Sequence, residues 1–200
     1  MESGMTRAVR WAGIVGAALF VAAVAGFGAA LEGYLQARFP VALLGAKGFP
    51  HALAFNLLAF VVPGMLAGAV ALDLRRRLPG DAGWTSRLGA QLVFLSALAF
   101  IAMGLLPLDP RDLESEASRF HGTAWMLWSV AFIPGAALLA WGLWNDRRWS
   151  LFARLSLGAA LSVLTAAFVL TSAIPAGIAQ RIAFAIWFAW LAYAGMARNR

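Results

Sequence analysis

The stretch "HALAFNLLAFVVPGMLAGAVAL", residues 51–72, carries no charged side chain after its opening histidine. At a rise of ~1.5 Å per residue, positions 52–72 cover about 31 Å, enough to cross a hydrocarbon core of ~30 Å. Its only polar residue is Asn56, and its only backbone irregularity is Pro63-Gly64. A helix of this length with no polar stripe belongs in lipid.

Further runs of this kind lie on both sides, at 11–31, 88–106 and 122–144. Two more, 151–174 and 178–197, carry one arginine each near an end. The 200 residues are 62% hydrophobic and 12% charged, where an ordinary soluble domain has about 25% charged residues. The sequence therefore predicts an all-α, polytopic membrane protein: one domain, 1–200, with six transmembrane helices. The first run follows Arg7 and Arg10, as a secretory signal would, but its apolar core is longer than a signal core. The absence of cysteine excludes disulfides, thiolate metal sites and cysteine nucleophiles.

Charge fixes the expected orientation. With six spans, both termini and the 73–87 and 145–150 loops share one side, which holds eleven of the sixteen basic residues. That side has a net charge of +7 and the opposite side of zero. The positive-inside rule then predicts a plasma-membrane protein with both termini in the cytoplasm. A basic excess distributed this way points to anionic lipid headgroups as partners and away from nucleic acid.

The spans also suggest an internal repeat. His51 precedes Pro63-Gly64 as His121 precedes Pro134-Gly135, and the helices opening at Trp84 and Trp149 run to Pro107 and Pro175. The matched points are 65 to 71 residues apart. Both copies run in the same direction, so their axis would lie along the membrane normal. The expected architecture is three helix hairpins, 1–2, 3–4 and 5–6. Each would bring one polar helix start to the outer face, at His51, His121 and Gln180-Arg181. Pro63 and Pro134 fall in mid-span and should disturb their helices. Gly64 and Gly68 read as a helix contact surface.

Every uncommon polar residue beside a span falls on the predicted outer face: His51, Asn56, Asp109, Asp112, His121, Gln180 and Arg181. His51 reads either as an interfacial helix cap or as a proton carrier or ligand. Asn56 must find a partner, because an unpaired amide in hydrocarbon costs several kcal/mol. Asp109, followed by Pro110, has the form of a helix N-cap with proline at the first position. It could also orient a histidine or help to hold an ion. Arg181 reads either as a snorkelling cation or as a clamp on a lipid phosphate or a carboxylate.

No H-E-x-x-H, G-x-S-x-G or glycine-rich phosphate loop is present. The composition predicts no cofactor. A divalent metal on His51, Asp109 and His121 is stereochemically reasonable but weakly signalled. Axial haem ligation suits histidines at helix mouths poorly.

"FPHALAFNLLAFVVPGML", the "LPLDP…FH" loop and "PAGIAQRIAFAIWFAWLAYAGM" together resemble the membrane family known as domain of unknown function 998. The resemblance covers about residues 8–197. It implies six-helix topology and carries no activity. Three readings of function stay open: a protein binding a lipid headgroup or small ligand in a polar outer pocket, an accessory or structural membrane protein, and an outer-leaflet enzyme. The enzyme would be a metal-assisted hydrolase or acyl transferase using His51, Asp109 and His121. The candidate pocket comprises His51, Asn56, Asp109, His121, Gln180 and Arg181.

Overall fold

The computed structural model describes residues 2–197, with side chains from Ala8 onward. Arg198 and Arg200, part of the basic count above, lie outside the described residues, as does the side chain of Arg7. Among the described residues every regular element is helical. Six helices are long and apolar enough to cross a membrane. We number them α1 (Glu2–Ala30), α2 (Ala52–Arg77), α3 (Trp84–Leu105), α4 (Glu116–Leu143), α5 (Ser150–Ser172) and α6 (Ala176–Met196). The chain is thus a multi-pass membrane protein.

The helices outrun several of the predicted charge-free segments. α2 continues through Arg75, Arg76 and Arg77, and α4 begins at Glu116, five residues before His121. Charged residues are admitted where they suit a helix end: bases in the last turn of α2 and an acid in the first turn of α4. Pro63 is accommodated by a π-helical turn, Leu57–Val61, directly before it. The wider turn relieves the clash between the proline ring and the preceding carbonyls. Its proposed counterpart, Pro134, sits inside a continuous α-helix. The second π-helical turn, Thr165–Val169, lies in α5. Spans 2 and 4, which the repeat would match, therefore meet their prolines differently.

The helices close into a ring in chain order, with α6 packed back on α1, and α6 also touches α2 across the middle. Its buried face explains this central place. Phe184, Trp187 and Phe188 meet Phe20 of α1, Phe60 of α2, Phe100 of α3 and Trp128 of α4. The Phe100–Trp187 and Trp128–Phe184 ring centroids lie 4.6 and 4.9 Å apart. Tilted and edge-on aromatic pairs of this kind add about 0.5–1.5 kcal/mol each beyond their burial. Gly64 packs on α3 as its spacing predicts, since a Cβ there would stand 2.6 Å from Ile101.

Both ends of the bundle are tied by polar contacts. At the end holding both termini, Arg77 pairs with Asp73 at 2.7 Å and donates to the carbonyls of Ala194 and Ala197. A cation thus satisfies the otherwise unpaired C-terminal carbonyls of α6. At the opposite end the connections 31–51, 106–115 and 173–175 come together. There the Lys47 amide donates to the Leu108 carbonyl at 2.9 Å.

Candidate functional site

The first turns of α6 present Gln180 and Arg181 side by side, and the segment following α1 folds across them. The Gln180 side-chain oxygen accepts from the Val41 amide at 2.8 Å. Arg181 Nη1 donates to the Phe39 carbonyl at 2.9 Å and to the Gly177 carbonyl at 2.8 Å. Its Nη2 donates to the Tyr34 hydroxyl and to Gln36 Oε1, both at 2.7 Å. The two α6 side chains therefore grip the backbone on either side of Pro40. Tyr34 donates onward to the Pro40 carbonyl at 3.1 Å, and Gln36 Nε2 reaches back to the Val24 carbonyl of α1 at 2.9 Å.

All four acceptors of Arg181 are neutral, and among the described residues it forms no ion pair. Its Nε is buried with no acceptor. A guanidinium keeps its charge at any accessible pH, so the site is locally cationic. Burial raises the Tyr34 phenol above its ordinary value near 10, while the charge and hydrogen bond of Arg181 pull the other way. Tyr34 therefore stays a neutral donor at physiological pH.

Arg181, Tyr34 and Gln36 close one end of a groove of about 910 Å³ that runs down the lateral face between α1 and α6. Its walls are otherwise apolar, with alanines and Gly28 set between larger side chains such as Ile14, Phe20 and Phe188. Val21, Ala25 and Ala29 contribute from α1, and Ala185 and Ala189 from α6. These five residues are solvent-accessible in the isolated chain. On a membrane-spanning surface such residues face lipid.

The remaining predicted residues occupy other places. Asn56, 5% exposed, donates from Nδ2 to the Gly45 carbonyl at 2.9 Å, so the buried amide finds the partner that its position demands. It fastens the 41–45 turn to α2. Replacing Asn56 by alanine is expected to cost about 1–3 kcal/mol by stranding that carbonyl. Thermal unfolding in detergent measures this, and a change below ~0.5 kcal/mol would show that the carbonyl finds another donor.

His121 is buried, and its Nδ1–H donates to the Leu106 carbonyl at 2.9 Å, capping the end of α3. His51 is exposed and lines a separate depression of about 400 Å³ between α1 and α2, against Phe27 and Leu58. It is the one non-glycine residue with positive φ among the described residues, at +57°. Its side chain makes no capping bond to α2. The two histidines that the repeat would make equivalent thus have unlike surroundings.

Asp109 does not start a helix. Its Oδ1 accepts from the Arg111 amide at 3.1 Å in a local turn, and α4 begins only at Glu116, capped by Ser115. The reason is Ser118, whose hydroxyl bonds Asp109 and Asp112 and folds the loop back onto the first turn of α4. Among the described residues no three His, Cys, Asp or Glu side chains are grouped to hold a metal. His51, Asp109 and His121 are accordingly not gathered as a ligand set.

Tyr34 and Gln36 escaped the sequence reading. A signal existed: Tyr34 is one of only two tyrosines in the chain and stands just beyond a span. Nothing in linear order ties it to Arg181, 147 residues away.

The family model described as "Protein of unknown function (DUF998)" matches residues 14–197. Neither the curated proteins nor the solved structures contain a match to the chain.

Proposed function

The chain belongs to the DUF998 family of proteins of unknown function, and on that premise we propose that it holds an anionic amphiphile in the α1/α6 groove. The head would sit against Arg181 and the hydrocarbon would run down between the helices. One observation carries the reading: a cation that no carboxylate among the described residues neutralises stands at the polar end of an apolar, lipid-facing groove. Charge complementarity then favours a phosphate or carboxylate head, and the small side chains leave room for its tail. The basic excess on the side holding the termini supports a plasma-membrane orientation with both termini cytoplasmic, so the Arg181 end faces outward.

A purely structural role draws support from the same hydrogen bonds, which pin the 34–41 segment to α6. Native mass spectrometry of protein extracted in mild detergent separates the two. We expect wild type to retain an anionic amphiphile and Arg181→Gln to lose it. Identical lipid populations on the two proteins would leave Arg181 as a clamp only.

A further inference from the structure

The place of a ligand head at Arg181 is already taken. A guanidinium has five N–H donors, and those on Nη1 and Nη2 are spent on the carbonyls of Phe39 and Gly177, the Tyr34 hydroxyl and Gln36 Oε1. The remaining donor, on Nε, is buried out of a ligand's reach. An anion therefore bonds Arg181 only by replacing one of these acceptors.

Three of them are not free to leave. Phe39 and Gly177 offer backbone oxygens, held by the 37–39 segment and by the first turn of α6. Tyr34 is buried, and its hydroxyl also donates to the Pro40 carbonyl at 3.1 Å. Gln36 differs: it is half-buried, lines the groove and reaches Arg181 on a flexible side chain. Its Nε2 donates to the Val24 carbonyl, which within α1 also serves the Gly28 amide one turn on. Withdrawing the carboxamide thus leaves that carbonyl bonded and vacates only the Arg181 donor that the ligand takes over. The carboxamide itself belongs to the 31–51 connection, outside the span, where water can serve it. Gly28 gives the seat its room, since a Cβ there would collide with the Gln36 amide nitrogen.

We infer that Gln36 is a built-in stand-in for the ligand: its carboxamide oxygen holds the seat of the anionic head, and the head binds by displacing it. This rests on the proposed reading of the α1/α6 groove and adds what the head must be. A neutral oxygen would exchange one neutral acceptor for another and gain nothing. An anionic oxygen adds charge–charge attraction at a site largely screened from water. The seat therefore stays closed to neutral heads and opens to an anionic oxygen.

The probe is a decyl phosphate with a photoreactive diazirine beside its head, titrated into the purified protein in a nonionic maltoside detergent. The matching decyl alcohol is the neutral control, and labelled peptides around Tyr34 and Arg181 are quantified by mass spectrometry. Wild type is expected to label saturably with the phosphate and not with the alcohol. Gln36→Ala vacates the seat and should lower the half-saturating concentration about two- to tenfold, the span that one net hydrogen bond represents. Gln36→Glu fills the seat with a tethered carboxylate and should abolish saturable labelling. A gain of binding in Q36A cannot come from misfolding, so the test stands even if Q36E is unstable. Half-saturation that is unchanged or raised in Q36A, or saturable labelling that survives in folded Q36E, would overturn the stand-in role and leave the anion site in place. Phosphate labelling no stronger than alcohol labelling in both wild type and Q36A would remove the anion site itself.

Discussion

Replacing Arg181 by alanine is expected to destabilise the protein by about 3 kcal/mol or more and to abolish retention of an anionic amphiphile. The stability part follows from what the guanidinium leaves behind. The carbonyls of Phe39 and Gly177, the Tyr34 hydroxyl and Gln36 Oε1 all lose their donor at once. Hydrogen bonds from a charged donor contribute about 1.5–3 kcal/mol each, and losses within one network overlap, so the sum is smaller than four times that.

Two further variants divide clamp from charge. Arg181→Lys keeps the positive charge but cannot reproduce the planar fork that serves four acceptors, so it should lose stability and keep part of the anion binding. Gln36→Ala removes one acceptor and leaves the cation, so binding should persist. Unfolding in detergent reads the first property and native mass spectrometry the second. If R181K and R181A lost the ligand equally while Q36A also lost it, geometry rather than charge would hold the head.

Gly177→Ala is expected to have the next largest effect, although it adds one methyl group. That methyl would stand 2.6 Å from the Phe39 carbonyl oxygen and 2.9 Å from that of Ala37. Both neighbours are backbone, so no rotamer change makes room. The 37–39 segment must lift off α6 by several tenths of an ångström. Overpacking of this kind costs about 1–3 kcal/mol. Here it also carries the Phe39 carbonyl away from Arg181 and the Val41 amide away from Gln180. Loss of stability should therefore come with loss of the bound amphiphile. Gly26→Ala is the matched control: it lies within α1 with nothing within 4 Å of a built Cβ, and alanine is the better helix former. Equal melting temperatures for G177A and G26A would show that the 37–39 segment yields freely.

Much of the molecule was legible before folding. Long apolar runs, four of them charge-free and two with a single arginine, give all six spans because each backbone polar group in lipid must be satisfied within its own helix. Asn56 announced a buried partner, since its amide stands alone among apolar neighbours. Other features were not readable. The cap signature at Asp109-Pro110 is local, and the Ser118 hydroxyl, nine residues away, overrides it. His51 and His121 share a sequence setting, yet one is exposed and the other spends its Nδ1–H on the end of α3. Gln180 and Arg181 were visible as unusual residues, but their partners were not.

Hydrophobicity and charge balance act residue by residue along a chain. The sequence alone therefore determined that this protein spans a membrane six times, and which polar residues gather toward one end. The tertiary structure decided which of them meet. Closure of the ring sets α6 against α1, which brings Tyr34 and Gln36 onto Arg181 and opens a groove between small side chains. Contacts between residues some 145 positions apart depend on helix packing angles and on where two alanine-lined faces fail to fill the space between them, and neither quantity is encoded in linear order.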